Sequence, residues 1–195
     1  SSLDSNVESI YNNLNSNQFN LPNLESFKEA LKGYNSLKEK GLIQKNILTL
    51  VDFSLSSNTK RLWVIDLDSN TILFHSLVAH GRNTGEEYAN SFSNTNSSYK
   101  SSLGFYLTGE VYNGKHGMSL KLDGLEKGVN DNARQRGVVM HSADYVSNNF
   151  IKNYSGIFSD AVFDVFGRFG TKVWSLNDIF TGFSRNYENW GPGFS

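Results

Sequence analysis

No cysteine occurs anywhere in the chain. That excludes disulfides, thiolate metal ligands and a thiol nucleophile within the sequence, and it identifies no compartment. Proline is nearly as scarce, with two residues, while aromatics make up 13%. Such a composition argues against a disordered chain. Charge is balanced at a net −1, with Lys and Arg scattered rather than blocked. A nucleic-acid partner would need a concentrated basic face, and none is expected. No apolar run approaches the ~18 residues that a membrane span requires. The chain opens at Ser1 without a methionine and shows no signal peptide, which reads as a processed or trimmed start and leaves a lost export signal open. At 195 residues the length suits one domain with a proper core.

What is present changes its period along the chain. Residues 1–20 are rich in Ser and Asn with scattered apolar positions (Val7, Ile10, Tyr11, Leu14), and read as a polar tail with a loose helical turn or two. After Pro22, Leu24, Phe27, Ala30, Leu31, Tyr34 and Leu37 recur at spacings of three and four, the pattern of an amphipathic helix. Asn23 suits its N-cap, Glu25 its first turn, and Lys38, Lys40 and Gly41 its end. From Ile47 the period becomes two. Strands are expected over 47–53, 61–67 and 71–78, the last two joined by a turn at Asp68-Ser69-Asn70. A long polar loop then runs from Gly81 through Asn96. Further strands are expected over 102–109, 118–122 and 138–141, with a tight turn at Asn113-Gly114. Six strands, one early helix and no internal repeat make a single β-rich domain.

Val138-Val139-Met140-His141-Ser142-Ala143 is the stretch with the clearest chemical content. An apolar run delivers a histidine to its own end beside two small residues, leaving room for a substrate to reach a side chain suited to proton transfer near neutrality. A histidine at a strand end is more commonly a hydrogen-bonded structural residue. His80, Tyr112, Lys115, His116 and His141 all fall at strand ends or turns, so three of the four histidines could meet at one sheet edge. Wet loops are polar in any case, and a three-histidine group would also suit zinc. No H-E-x-x-H or short paired His spacing occurs, so neither a metal nor a cofactor is expected.

Over about Leu24 to Lys152 an ordered series of segments resembles the murein L,D-transpeptidase catalytic-domain family, the second branch of the YkuD-like fold. The series comprises residues 47–54, Leu77-Val78-Ala79-His80-Gly81, Phe92-Ser93-Asn94, and Ser101-Ser102-Leu103-Gly104-Phe105-Tyr106. It continues with Gly114-Lys115-His116-Gly117, Gly124-Leu125-Glu126, Asn130-Asp131-Asn132-Ala133 and residues 138–147. The resemblance implies a mainly β, sandwich-like domain with an N-terminal amphipathic helix, divided as tail 1–20, catalytic-type domain 21–152 and atypical segment 153–195. It also implies acyl transfer on peptidoglycan stem peptides in the cell envelope, periplasmic or exported, by a monomer without a cofactor. A Cys thiolate would attack the carbonyl that joins a diamino acid to D-alanine, and a His would take and return the thiol proton. That base carries over to His141. Tyr112, His116, Gly117 and Ser142 carry over as substrate-side positions, Ser142 standing where the family more often has Gly.

The departure is as informative as the match. The family places its nucleophile in an L-G-R-S-x-G-C-P motif shortly after the His segment. Here the pattern holds through Phe150-Ile151-Lys152 and is then lost, with no Cys over 153–195. Ser155, Ser159 and Ser175 are placed by no matching motif, and a serine would need its own activating base. The codons permitted for Phe158 to Asp164 and Val165, read from the third base of the Phe158 codon, can encode Leu-Gly-Arg-Ser-Phe-Arg-Cys. That L-G-R-S-x-x-C falls where the family motif is due. The expectation is a frame change between about Lys152 and Phe158, in the gene or its record, against the alternative of a pseudoenzyme with a new C-terminal segment. In the second case the aromatic tail, Trp174 included, should be buried, because exposed it would be an aggregation hazard.

Overall fold

The computed structural model describes residues 2–114 and 117–141. Helix α1 (Ser2–Asn12) and helix α2 (Leu24–Glu39) precede three strands, β1 (Ile47–Val51), β2 (Leu62–Asp66) and β3 (Thr71–Ser76). Then come β4 (Tyr106–Gly114), β5 (Gly117–Gly124), the short helix α3 (Ala133–Arg136) and β6 (Val139–His141). The strands form two antiparallel three-stranded sheets in the orders β1-β2-β3 and β4-β5-β6. The architecture is mainly β, with the expected amphipathic helix at its N-terminal side.

Helix α2 starts and stops where its sequence directs. The Asn23 side chain accepts the Ser26 backbone N–H at 2.8 Å, satisfying one of the amides that a helix start leaves orphaned. At the other end Gly41, at φ 71°, donates to Lys38 O while Leu42 N donates to Leu37 O, the paired bonds of a Schellman stop. Between the caps, Phe27, Ala30, Leu31, Tyr34 and Leu37 are buried, and most of them pack on Leu48, Leu50, Trp63, Ile65 and Ile72 of the first sheet. A second core joins the other face of that sheet to the second sheet, through Phe53, Leu62, Val64, Val78, Leu120, Leu122, Val138 and Met140. The layers are therefore helix, sheet, sheet. β2 is the middle strand of the middle layer, so Leu62, Trp63, Val64 and Ile65 are all buried without alternation. Fully burying a side chain such as Phe27 or Ile65 contributes about 2 to 3 kcal/mol each.

The structure departs from the sequence pattern at two places. The stretch read as tail with a loose turn or two is an eleven-residue helix. Its polar composition hides a thin apolar stripe: Val7, Ile10, Tyr11 and Leu14 pack against the helix–sheet core. The Tyr11 ring lies 5.5 Å from that of Phe27, and its hydroxyl donates to Pro22 O at 2.6 Å. The fourth strand begins at Tyr106 rather than near Ser102. Gly104 sits at φ 109°, where an extended strand cannot run, and a Cβ there would lie 2.2 Å from Glu126 Oε2. Glu126 uses that oxygen to accept Phe105 N at 2.6 Å, while buried Asn130 accepts Glu126 N and donates to Phe105 O. The chain is thus pinned immediately before β4 by the segment that leads into α3 and β6.

Candidate active site

His141 ends β6, three residues long, and has no exposed surface. The register of the second sheet sets its surroundings. Tyr112 of β4 pairs with Ser119 of β5, and Ser119 pairs with His141 of β6. Directly opposed residues of an antiparallel sheet share a face, so these three form one row across it. The row behind it, Val111, Leu120 and Met140, faces the inter-sheet core. Along β5 the outward row continues through Lys121 and Asp123. Lys121 Nζ sits 5.1 Å above the Tyr112 ring and 3.8 Å from Glu110. Arg134 of α3 pairs with both Asp123 and Glu110, and these carboxylates hold its guanidinium still more firmly protonated than usual. A bulge between Thr108 and Val111 accommodates this charged cluster in β4.

A cavity of about 480 Å³ lies on the other side. It opens where α2, β1 and the second sheet meet, lined by Tyr34, Leu48, Leu50, Phe105, Leu122 and Met140. Met140 faces this cavity, so His141, the next residue on the strand, faces away from it. The histidine and the cavity are separated by the thickness of the sheet.

His80, which the sequence grouped with His141, has a different occupation. Arg61 Nη2 donates to its Nδ1 at 2.9 Å, and its Nε2–H is shared between Gly85 O and Glu86 O at 3.0 Å each. A guanidinium only donates and carbonyls only accept, so the ring is neutral with its hydrogen on Nε2. Burial and then the Arg61 charge push its pKa down from 6.5 to about 4. Both nitrogens are committed, and neither is left for a substrate or metal. Arg61 is itself fully buried, donating also to Val78 O and Leu55 O and lying 4.9 Å over the Phe53 ring. The pair anchors the polar loop that follows. Thr84 Oγ1 accepts Ser101 N, and Ser101 Oγ accepts Gly81 N. Sequence reasoning missed this anchor because Arg61 precedes its partner by 19 residues; its one signal was an arginine immediately before the apolar run Leu62-Trp63-Val64-Ile65.

His75 is likewise structural, stacked on Trp63 with centroids 4.5 Å apart and bonded to Lys60 O. Among the described residues no group of three His, Asp or Glu suits a metal ion. Of the expected site positions, Tyr112 and His141 are brought into one row, and Gly117 opens β5 opposite Gly114. Lys115, His116, Ser142 and the whole of 142–195, with its serines, Trp174 and the presumed frame change, lie outside the described residues. No helix among the described residues is long and apolar enough to cross a membrane.

Compared with known families, residues 20–159 match the model described as the L,D-transpeptidase catalytic domain. Neither the curated proteins nor the solved structures contain a match to this chain.

Proposed function

Since the chain belongs to the L,D-transpeptidase catalytic-domain family, we propose that it derives from a cysteine acyltransferase acting on peptidoglycan stem peptides, with His141 as the general base, and that the chain as written does not catalyse the reaction. The observation that carries the reading is the strand end itself: a histidine fixed by sheet register on the face turned away from the core, inside the family match. In the reaction the base takes the proton of a thiol, the thiolate attacks the peptide carbonyl, D-alanine leaves with the returned proton, and an amine or water then takes the acyl group. This chain supplies the base and no thiol. His141 has no exposed surface.

Tyr112, His116, Gly117 and Ser142 are the proposed substrate-side positions, and the protein works in the cell envelope as a monomer without metal or cofactor. Incubating the protein with a disaccharide-tetrapeptide should give no cross-linked dimer; dimer formed by the cysteine-free chain would overturn the predicted inactivity. Sequencing the encoding DNA beyond the His141 codon tests descent. An alternative frame that encodes Leu-Gly-Arg-Ser with its Cys and continues in family-like sequence supports a broken copy of an active enzyme. In a version with that frame restored, His141→Ala should abolish acylation, and unchanged acylation would remove His141 from its role. The absence of cysteine favours a second reading, a module that recognises stem peptides without cleaving them. Calorimetric titration with the same tetrapeptide checks it, and an alternative frame closed by stop codons would move it ahead.

A further inference from the structure

We infer that Ser119 is a positioning residue for His141, accepting the Nδ1–H of its imidazole and so leaving Nε2 as the nitrogen that takes a proton; the inference rests on His141 being the base. Register brings the two together. Ser119 and His141 are directly opposed across β5 and β6, so both side chains rise from one face with Cβ atoms about 4.5 to 5.5 Å apart. A serine oxygen is one bond beyond its Cβ and Nδ1 is two bonds beyond the histidine Cβ. The oxygen therefore meets the near nitrogen of the ring, while Nε2 lies on the far side.

Burial makes the contact matter. Ser119 is 2% exposed and His141 0%, and groups so withdrawn from water take protein partners. A hydroxyl both donates and accepts, so it can hold Nδ1–H and pass its own hydrogen onward. The described neighbours on the same face are less suited. Val139 is apolar, Lys121 has only donors, and the Tyr112 ring leans along its strand over Gly114, with Cε2 2.9 Å from where a Cβ there would sit. A fixed tautomer is what a proton-transferring histidine needs from the group that orients it. It is also the reverse of the tautomer at His80, where Nδ1 accepts and Nε2 carries the hydrogen.

Long-range ¹H–¹⁵N spectra of the imidazoles in the ¹⁵N-labelled, cysteine-free protein above pH 7 test this directly, with His141→Gln assigning the signals. The expected result is His141 almost wholly Nδ1–H and His80 almost wholly Nε2–H in one spectrum. Ser119→Ala should shift His141 to a mixture of tautomers, and Ser119→Thr, which keeps the hydroxyl, should restore the single form. A wild-type His141 found as Nε2–H or as a mixture overturns the inference without any variant, as does a spectrum unchanged in Ser119→Ala. The readout needs no activity, so its failure leaves the base assignment standing. Unchanged acylation in a frame-restored His141→Ala enzyme would sink the base assignment instead, whatever the tautomer.

Discussion

Beyond β3 and at the end of β6 the chain delivers a buried histidine, and the two are held by different means. His80 is fixed by its own ring: a cation on one nitrogen, two carbonyls on the other, and a depressed pKa as the result. His141 is fixed by its backbone, through the pairing of β6 with β5, and its ring stands in a row with Ser119 and Tyr112. Burial, which the two share, does not tell their roles apart. The chemistry of the groups around each ring does. An imidazole between a guanidinium and carbonyls is a strut, whereas one opposite a serine in the sheet register is where the proposed proton transfer would be placed.

The comparison breaks first, if it breaks, at Arg61. Arg61→Met keeps the stem but removes the donors to Leu55 O, Val78 O and His80, and should cost about 3 to 5 kcal/mol. Urea denaturation measures it, and a loss below about 1 kcal/mol would mean the anchor is dispensable. Acid is the next lever. With a folded pKa of about 4 against 6.5 in the unfolded chain, the unfolded state binds the extra proton between those values. The contribution of His80 is therefore whole above pH 6.5 and drains away as the pH falls to 4, on the order of 3 kcal/mol in all. Denaturation midpoints at pH 7, 5 and 4 should show that fall, and His80→Gln should flatten it. On the His141 side, Asn130→Ala leaves Glu126 N and Phe105 O without their partner and should cost about 2 kcal/mol by the same measurement. Remote from both histidines, Asn23→Ala removes the α2 cap for about 1 kcal/mol and should leave the acid profile unchanged.

The layers were largely legible in the sequence because they rest on local signals. The 3.6-residue period between Asn23 and Gly41 gives α2, and the turn at residues 68–70 gives the β2–β3 hairpin. What escaped depends on partners far away in the chain. Helix α1 is held by a thin stripe that pays off only against α2 and the first sheet. The late start of β4 depends on Glu126 and Asn130, over twenty residues further on. Of the site, the histidine at a strand end was legible as a motif, and the resemblance gave it a role. His80 could not be told apart from it in the sequence, because the Arg61 that commits its ring lies 19 positions earlier. Ser119 could not be singled out from sequence, since cross-strand register is invisible until the sheet is formed.

Arg136 gives the fold a direction in time. Its guanidinium donates to Ser93 O, Ser98 Oγ, Lys100 O and Ser102 Oγ, which precede it by 34 to 43 positions. A nascent chain emerging from the ribosome therefore completes both strands of the first hairpin, and then the whole 93–102 loop, before this arginine exists. Residues 81–84 can tie the loop early, through Gly81 N to Ser101 Oγ, Ser101 N to Thr84 Oγ1 and Asn83 Nδ2 to Ser98 O, and Arg136 adds the last fastening once α3 is made. A copy that stops short of this arginine would hold the loop by its ties to residues 81–84 alone, and its outer turns would be the easier cut for a protease.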